Sequence, residues 1–88
     1  MTIELHPDFK KAYKKRISQN LKLVTKVAER IALFQADPRS PLLKDHSLGG
    51  SHFGHRSFWI TGNIRIVYEK VTNELVRFLD IGSHPQVY

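Results

Sequence analysis

Polar and apolar positions alternate through Thr2-Ile3-Glu4-Leu5 as far as His6-Pro7, a period of two that predicts a short first strand. Pro7 and Asp8 then suit the start of a helix, because the missing proline N–H would have been unpaired there and an acidic side chain matches the positive end of the dipole. Phe9, Tyr13 and Ile17 recur every four residues, while Lys10, Lys11, Lys14, Lys15 and Arg16 fill the remaining positions, which predicts an amphipathic helix with a basic exterior. Ser18-Gln19-Asn20 breaks that pattern and offers Asn20 as the N-cap of a second helix. There Leu21, Val24, Val27 or Ala28, Ile31, and Phe34 or Gln35 follow the helical period to Ala36, and Asp37-Pro38 ends it. A helix pair this short cannot bury both apolar stripes alone, so it requires a sheet to cover.

From Asp37 to Phe53 the pattern is loop-like, with Leu42, Leu43 and Leu48 as apolar pins. Roughly 17 residues is long for a structureless loop in a small domain, and such loops tend to be functional. Strands are expected over 55–61 and 64–71, flanking Gly62-Asn63, a dipeptide suited to a two-residue hairpin turn with glycine at positive φ. Thr72-Asn73-Glu74 makes a second turn and 75–81 the next strand. The whole reads β-α-α-β-β-β, with no repeat and no linker. This is an α+β fold in one domain, residues 1–88, with an N-terminal strand and a two-helix hairpin packed on a small, mostly antiparallel sheet.

An ideal turn at Gly62-Asn63 puts Ile60 opposite Arg65, Phe58 opposite Val67 and Arg56 opposite Glu69. Arg56 and Arg65 then share the open face, and Trp59 joins Ile64, Ile66 and Tyr68 on the core side. A slip of one residue reverses the assignment. Arg56 can be read as a solvated partner of Glu69. Arg65 interrupts the apolar series Ile64-Ile66-Val67, where burying a guanidinium calls for a recipient, and its fork matches a phosphate.

Fourteen Lys and Arg against eight Asp and Glu give a net charge of +6, which favours a polyanion such as RNA or an acidic protein partner. The absence of cysteine excludes disulfides and cysteine-ligated metal sites and is compatible with a reducing cytoplasm. No stretch approaches the ~20 apolar residues of a membrane span, and Met1-Thr2-Ile3-Glu4-Leu5 lacks the features of a signal peptide, so a soluble cytoplasmic protein is expected. Among five histidines, His6 reads as an incidental turn residue, and His52 and His55 sit in a glycine-rich loop where a phosphate contact is open to them. His46 and His84 follow a loop and a strand end, within reach of the sheet's open face. Taken singly, such a histidine is more often structural than catalytic. The spacing matches no zinc pattern, so neither a metal nor another cofactor is expected.

His46-Ser47-Leu48-Gly49-Gly50, Gly54-His55-Arg56, Arg65-Ile66-Val67-Tyr68 and Gly82-Ser83-His84, taken in this order behind a two-helix hairpin, resemble the RelE/ParE superfamily of bacterial toxins. The likeness is closest to its YafQ-like branch of mRNA interferases and covers essentially the whole chain. The resemblance implies a RelE-like fold and the toxin of a type II toxin–antitoxin system. It further implies a ribosome-dependent endoribonuclease that cuts mRNA without metal, through attack of a ribose 2′-OH on the adjacent phosphate. By the same resemblance His46 stands where a base is placed, Arg65 where the scissile phosphate is held and His84 where a general acid is proposed. Arg56, His55 and Tyr88 fall among substrate-binding groups. The implied partners are a cognate antitoxin, the ribosome with its mRNA, and operator DNA through the antitoxin. Where that branch carries a further His and, four residues on, an Asp, this chain has Trp59 and Asn63, neither of which transfers a proton at neutral pH. Two other readings stay open on the same fold: a ParE-like inhibitor of DNA gyrase, and a degenerate toxin that only binds its antitoxin as a corepressor.

Overall fold

A computed structural model describes residues 1–88. Strand β1 (Thr2–Leu5) leads into α1 (Pro7–Arg16) and α2 (Leu21–Ala36). After them come β2 (His46–Ser47), β3 (Arg56–Thr61), β4 (Ile64–Lys70), β5 (Leu75–Ser83) and a terminal helical turn, α3 (His84–Val87). The five strands form one mixed sheet in the order β1-β5-β4-β3-β2, with β1 parallel to β5 and the other pairs antiparallel. The expected β-α-α-β-β-β order holds, with β2 and α3 added.

Local chemistry accounts for the helix ends. Pro7 occupies the first turn as expected, and His6 proves to be the N-cap rather than an idle turn residue, its Nδ1 accepting the Asp8 N–H at 3.0 Å. Asn20 caps α2 by accepting the Leu23 N–H at 3.2 Å. Both helices lie on one face of the sheet. Phe9, Ala12, Ile17, Val27 and Phe34 form a single core with Phe58, Ile60, Ile66, Tyr68, Phe78 and Ile81 from the strands. Phe34 is its centre, stacked on Phe58 at 4.5 Å and meeting Tyr68 edge-on at 5.0 Å. The α2 stripe runs through Leu23 and Val24 rather than Leu21, which is 79 % exposed.

The stretch expected to be a structureless loop is instead pinned three times. A 3₁₀ turn at Pro41–Leu43 buries Leu43 completely while Leu42 stays exposed. Strand β2 then adds to the sheet edge, and a second 3₁₀ turn spans Gly50–His52. The Gly62-Asn63 hairpin turn forms, with Gly62 at φ +53° and Thr61 facing Ile64.

The register beyond that turn differs from expectation. Arg56 faces Tyr68, Ser57 faces Val67, Phe58 faces Ile66 and Trp59 faces Arg65, because the pairing shifts by one residue between Trp59 and Thr61. Ile60 is the extra residue of a β-bulge, and its carbonyl accepts the Arg30 Nε–H at 3.1 Å. The slip reverses the faces. Arg56 lies on the helix side with Phe58, Ile66 and Tyr68, Trp59 pairs with Arg65, and the two arginines are on opposite sides of the sheet.

Candidate functional site

On β4, Ile66 points into the core and is fully buried, so its neighbour Arg65 projects from the face opposite α1 and α2. Across β5 its partner is Gly82. A Cβ at Gly82 would stand 2.7 Å from Gln86 Oε1 and 2.9 Å from Arg16 Nη1, so this close approach suits glycine. Arg16 reaches from the end of α1 to Asp80 Oδ1 (3.1 Å) and the Ile81 carbonyl (2.9 Å), holding the β5 edge where β1 no longer covers it. Gln86 accepts the Ser83 N–H at 2.7 Å, which tightens the first turn of α3 and folds the chain end back.

That return brings three of the expected site residues together. The Tyr88 hydroxyl donates to Ser57 Oγ on β3, and its ring centre lies 5.7 Å from the Arg65 guanidinium carbon. The His84 ring meets Tyr88 edge-on at 4.6 Å. His46 joins the same face from the sheet edge, since it is the cross-strand partner of Ser57. Its Nδ1 lies 2.9 Å from the Lys44 carbonyl, a contact that requires the proton on Nδ1 and leaves Nε2 of a neutral ring as the acceptor.

His55 precedes Arg56 and so shares the side of Ser57. Its Nε2 is 3.9 Å from Glu69 Oε2, Glu69 accepts from Arg77 Nη1 at 2.8 Å, and Arg77 Nε donates to Glu4 at 2.6 Å. Hydrogen bonds to Glu4 and then Glu69 hold the Arg77 pKa above its ordinary value. His52 stands between His55 (rings 6.2 Å apart) and Tyr88 (5.9 Å). Two buried side-chain atoms on this face have no hydrogen-bond partner, Arg65 Nε and His55 Nδ1. They are the only such atoms in the chain, and each marks a place where a polar ligand atom would be welcome.

Arg56, expected on this face, is committed elsewhere. Its Nη2 and Nε bind Asp45 Oδ1 at 2.7 and 2.8 Å, while the Tyr68 hydroxyl donates to the other carboxylate oxygen. Burial opposes the Arg56 charge, but the bonds to Asp45 and Tyr68 outweigh it and raise the pKa. Burial and the same carboxylate push the Tyr68 phenol upward. A cleft of about 500 Å³ opens beside this trio, and none of His46, Arg65, His84 or Tyr88 lines it. Trp59 is held between two cations, with Lys44 Nζ 4.5 Å and the Arg30 guanidinium carbon 4.9 Å from its ring centre, and its indole N–H donates to the Gly62 carbonyl at 2.7 Å.

Sequence reasoning overlooked Ser57, Asp45 and α3, and gave Glu69 to Arg56 where it stands with Arg77 and His55. Ser57 had a signal, a small hydroxyl opening the apolar run Phe58-Trp59-Ile60, and it is 1 % exposed. The other three depend on the register and the chain reversal.

A two-helix hairpin on one face of a β1-β5-β4-β3-β2 sheet, with arginine and histidine side chains gathered under the chain end on the other, defines a RelE-like toxin domain. The family model described as the bacterial toxin of type II toxin-antitoxin system, YafQ, matches residues 1–88, and the chain belongs to that family. The chain is similar to YafQ from E. coli strain BL21(DE3), with 25 % identity, 99 % of this chain and 97 % of that one covered, and a TM-score of 0.83. It is similar to a chain of the E. coli DinJ-YafQ complex at 26 % identity over 99 % and 97 % of the two chains, TM-score 0.80. The YoeB/ParE toxin of Agrobacterium tumefaciens, at 21 % identity over 96 % and 99 %, shares the fold with a TM-score of 0.77. No curated protein sequence matches the chain. It is thus a type II toxin–antitoxin toxin.

Proposed function

We propose that this toxin is a ribosome-dependent endoribonuclease that cuts mRNA by metal-independent attack of a ribose 2′-OH on the adjacent phosphate. The observation that carries the reading is Arg65: a cation on the face opposite α1 and α2, its Nε buried without an acceptor, flanked by Tyr88 and, through Tyr88, His84. A phosphate oxygen supplies the missing acceptor, and Arg65 stabilises the extra negative charge of the phosphorane. His46 Nε2 takes the 2′-OH proton as the O2′–P bond forms, and imidazolium His84 protonates the O5′ as the P–O5′ bond breaks. The products are a 2′,3′-cyclic phosphate and a free 5′-hydroxyl. Tyr88 orients the phosphate, and His55 belongs to substrate binding. Arg56, closed on Asp45, acts outside this set. The partner that silences the toxin is a cognate antitoxin, as the DinJ-YafQ pair illustrates for a relative.

Primer-extension mapping of mRNA ends after induction tests the reading. Cuts in the reading frame that vanish when translation is blocked are expected. Growth arrest with uncut mRNA overturns the nuclease assignment in favour of an inhibitor of DNA gyrase.

A further inference from the structure

We propose that His55 is the residue by which this toxin tells RNA from DNA, its Nδ1 accepting a hydrogen bond from a ribose 2′-hydroxyl further along the strand from the scissile phosphate. The inference rests on the reading of the substrate as RNA and adds the group that reads the sugar.

The argument starts from the two unpartnered atoms. Glu69 Oε2 lies 3.9 Å from His55 Nε2, and a carboxylate on that side of a neutral imidazole favours the tautomer with its proton on Nε2, which leaves the lone pair on Nδ1. Arg77, pinned by Glu4, holds Glu69 in turn, so the ring orientation is fixed by a chain of charges on the sheet. A buried acceptor without a donor is costly unless a ligand supplies one. Arg65 Nε is the complementary case, a buried donor lacking an acceptor. Ribose–phosphate offers both missing groups, a hydroxyl donor and an anionic acceptor.

Spacing places the two on different nucleotides of one strand, more than one step apart. Arg65 and Glu69 lie four positions apart on β4, roughly 13 Å along a strand. The interval is bridged by Arg65, Tyr88, His52 and His55 in successive contacts of 5.7, 5.9 and 6.2 Å. A single strand following this row meets a phosphate grip, two rings and the hydroxyl reader in order. His52 belongs to a turn bracketed by Gly50 (φ +60°) and Gly54 (φ +88°), and binding at the sealed Nδ1 requires this turn to move aside. A site built to hydrogen-bond a hydroxyl rejects the analogue that lacks it, and a 2′-OH contact is the general means of excluding DNA.

The test is equilibrium binding of a short single-stranded RNA and of the DNA of the same sequence, by fluorescence anisotropy at one fixed salt concentration. Protein carrying His84→Gln serves as the parent so that the RNA survives. The parent is expected to prefer RNA about tenfold. His55→Phe brings the ratio to about one by weakening RNA binding while DNA binding stays unchanged. His55→Gln keeps a side-chain acceptor and part of the preference, and Glu69→Gln, which frees the ring, reduces it. A preference retained in folded His55→Phe overturns the assignment, and so does its loss in His55→Phe through tighter DNA binding. A parent that binds neither strand overturns the nuclease reading as well, so the two failures are distinguishable.

Discussion

Removing one oxygen from Tyr88 tests whether the chain end is fastened over Arg65. Ser57 is 1 % exposed, so in Tyr88→Phe its hydroxyl loses its partner with little water to replace it. Stranding a buried polar group costs about 1–3 kcal/mol, and about 2 kcal/mol is expected here. Ser57→Ala is milder, because Tyr88 is only half-buried and its hydroxyl can be rehydrated. The loss there is about 1 kcal/mol, the net worth of an ordinary hydrogen bond. The double variant strands neither group, so it loses less than the two single losses combined. The expected coupling is on the order of 1–2 kcal/mol. Urea unfolding of the wild type and three variants at one pH measures the cycle, read from the midpoints at constant m-value. Losses that add to within about 0.5 kcal/mol would mean that the two hydroxyls are not in contact. That result refutes the docking of α3 over the arginine, and with it the assembly of His84, Tyr88 and Arg65.

Three further outcomes are expected. Arg65→Ala should slow RNA cleavage by about 10²–10³, measured under single-turnover conditions, with antitoxin binding intact, and Arg65→Lys should recover only part of the rate because an ammonium lacks the fork. Phe53, 87 % exposed beside the His52 turn, suits stacking on a nucleobase. Phe53→Ala should lower RNA affinity on the order of tenfold while shifting stability by no more than about 0.5 kcal/mol. The phenol of Tyr68 titrates higher folded than at its ordinary value of 10.0, so the folded state holds this proton more tightly. Its stabilising contribution is complete below about pH 10 and is lost as the pH climbs through the folded value. Tyr68→Phe should therefore flatten the alkaline limb of a thermal-melting profile taken above pH 9.

The helices and strand cores were legible because hydrophobic period is a local property. Asn20, Pro7 and Gly62 each declare their role within three or four residues, and all three stand where they were expected. The faces were not legible. Side-chain direction inverts with every residue inserted into a strand, and nothing in Trp59-Ile60-Thr61 marks the bulge. What holds it is Arg30, 30 residues away on α2, bonding the Ile60 carbonyl. Tyr88 could be recognised as an aromatic near the site, but its partner Ser57 could not, because their contact depends on the chain reversal that Gly82, Arg16 and Gln86 make together.

The corrected register gives Arg56 a different part in the same site. Its guanidinium grips Asp45 from the helix side of the sheet, with Tyr68 bonding the second carboxylate oxygen, and Asp45 is the residue immediately before His46. On the other flank Lys44 turns the chain at φ +49° and offers the carbonyl that fixes the Nδ1 proton of His46. The short β2 strand that carries His46 makes only two pairings with β3, too few to hold a catalytic group still without help. The Arg56–Asp45 bond supplies that help through the sheet edge. The two arginines expected side by side on RNA thus divide the work between faces. Arg65 stands on the face of the proposed phosphate site, and Arg56, bound to Asp45 on the other face, anchors the loop that carries the proposed base.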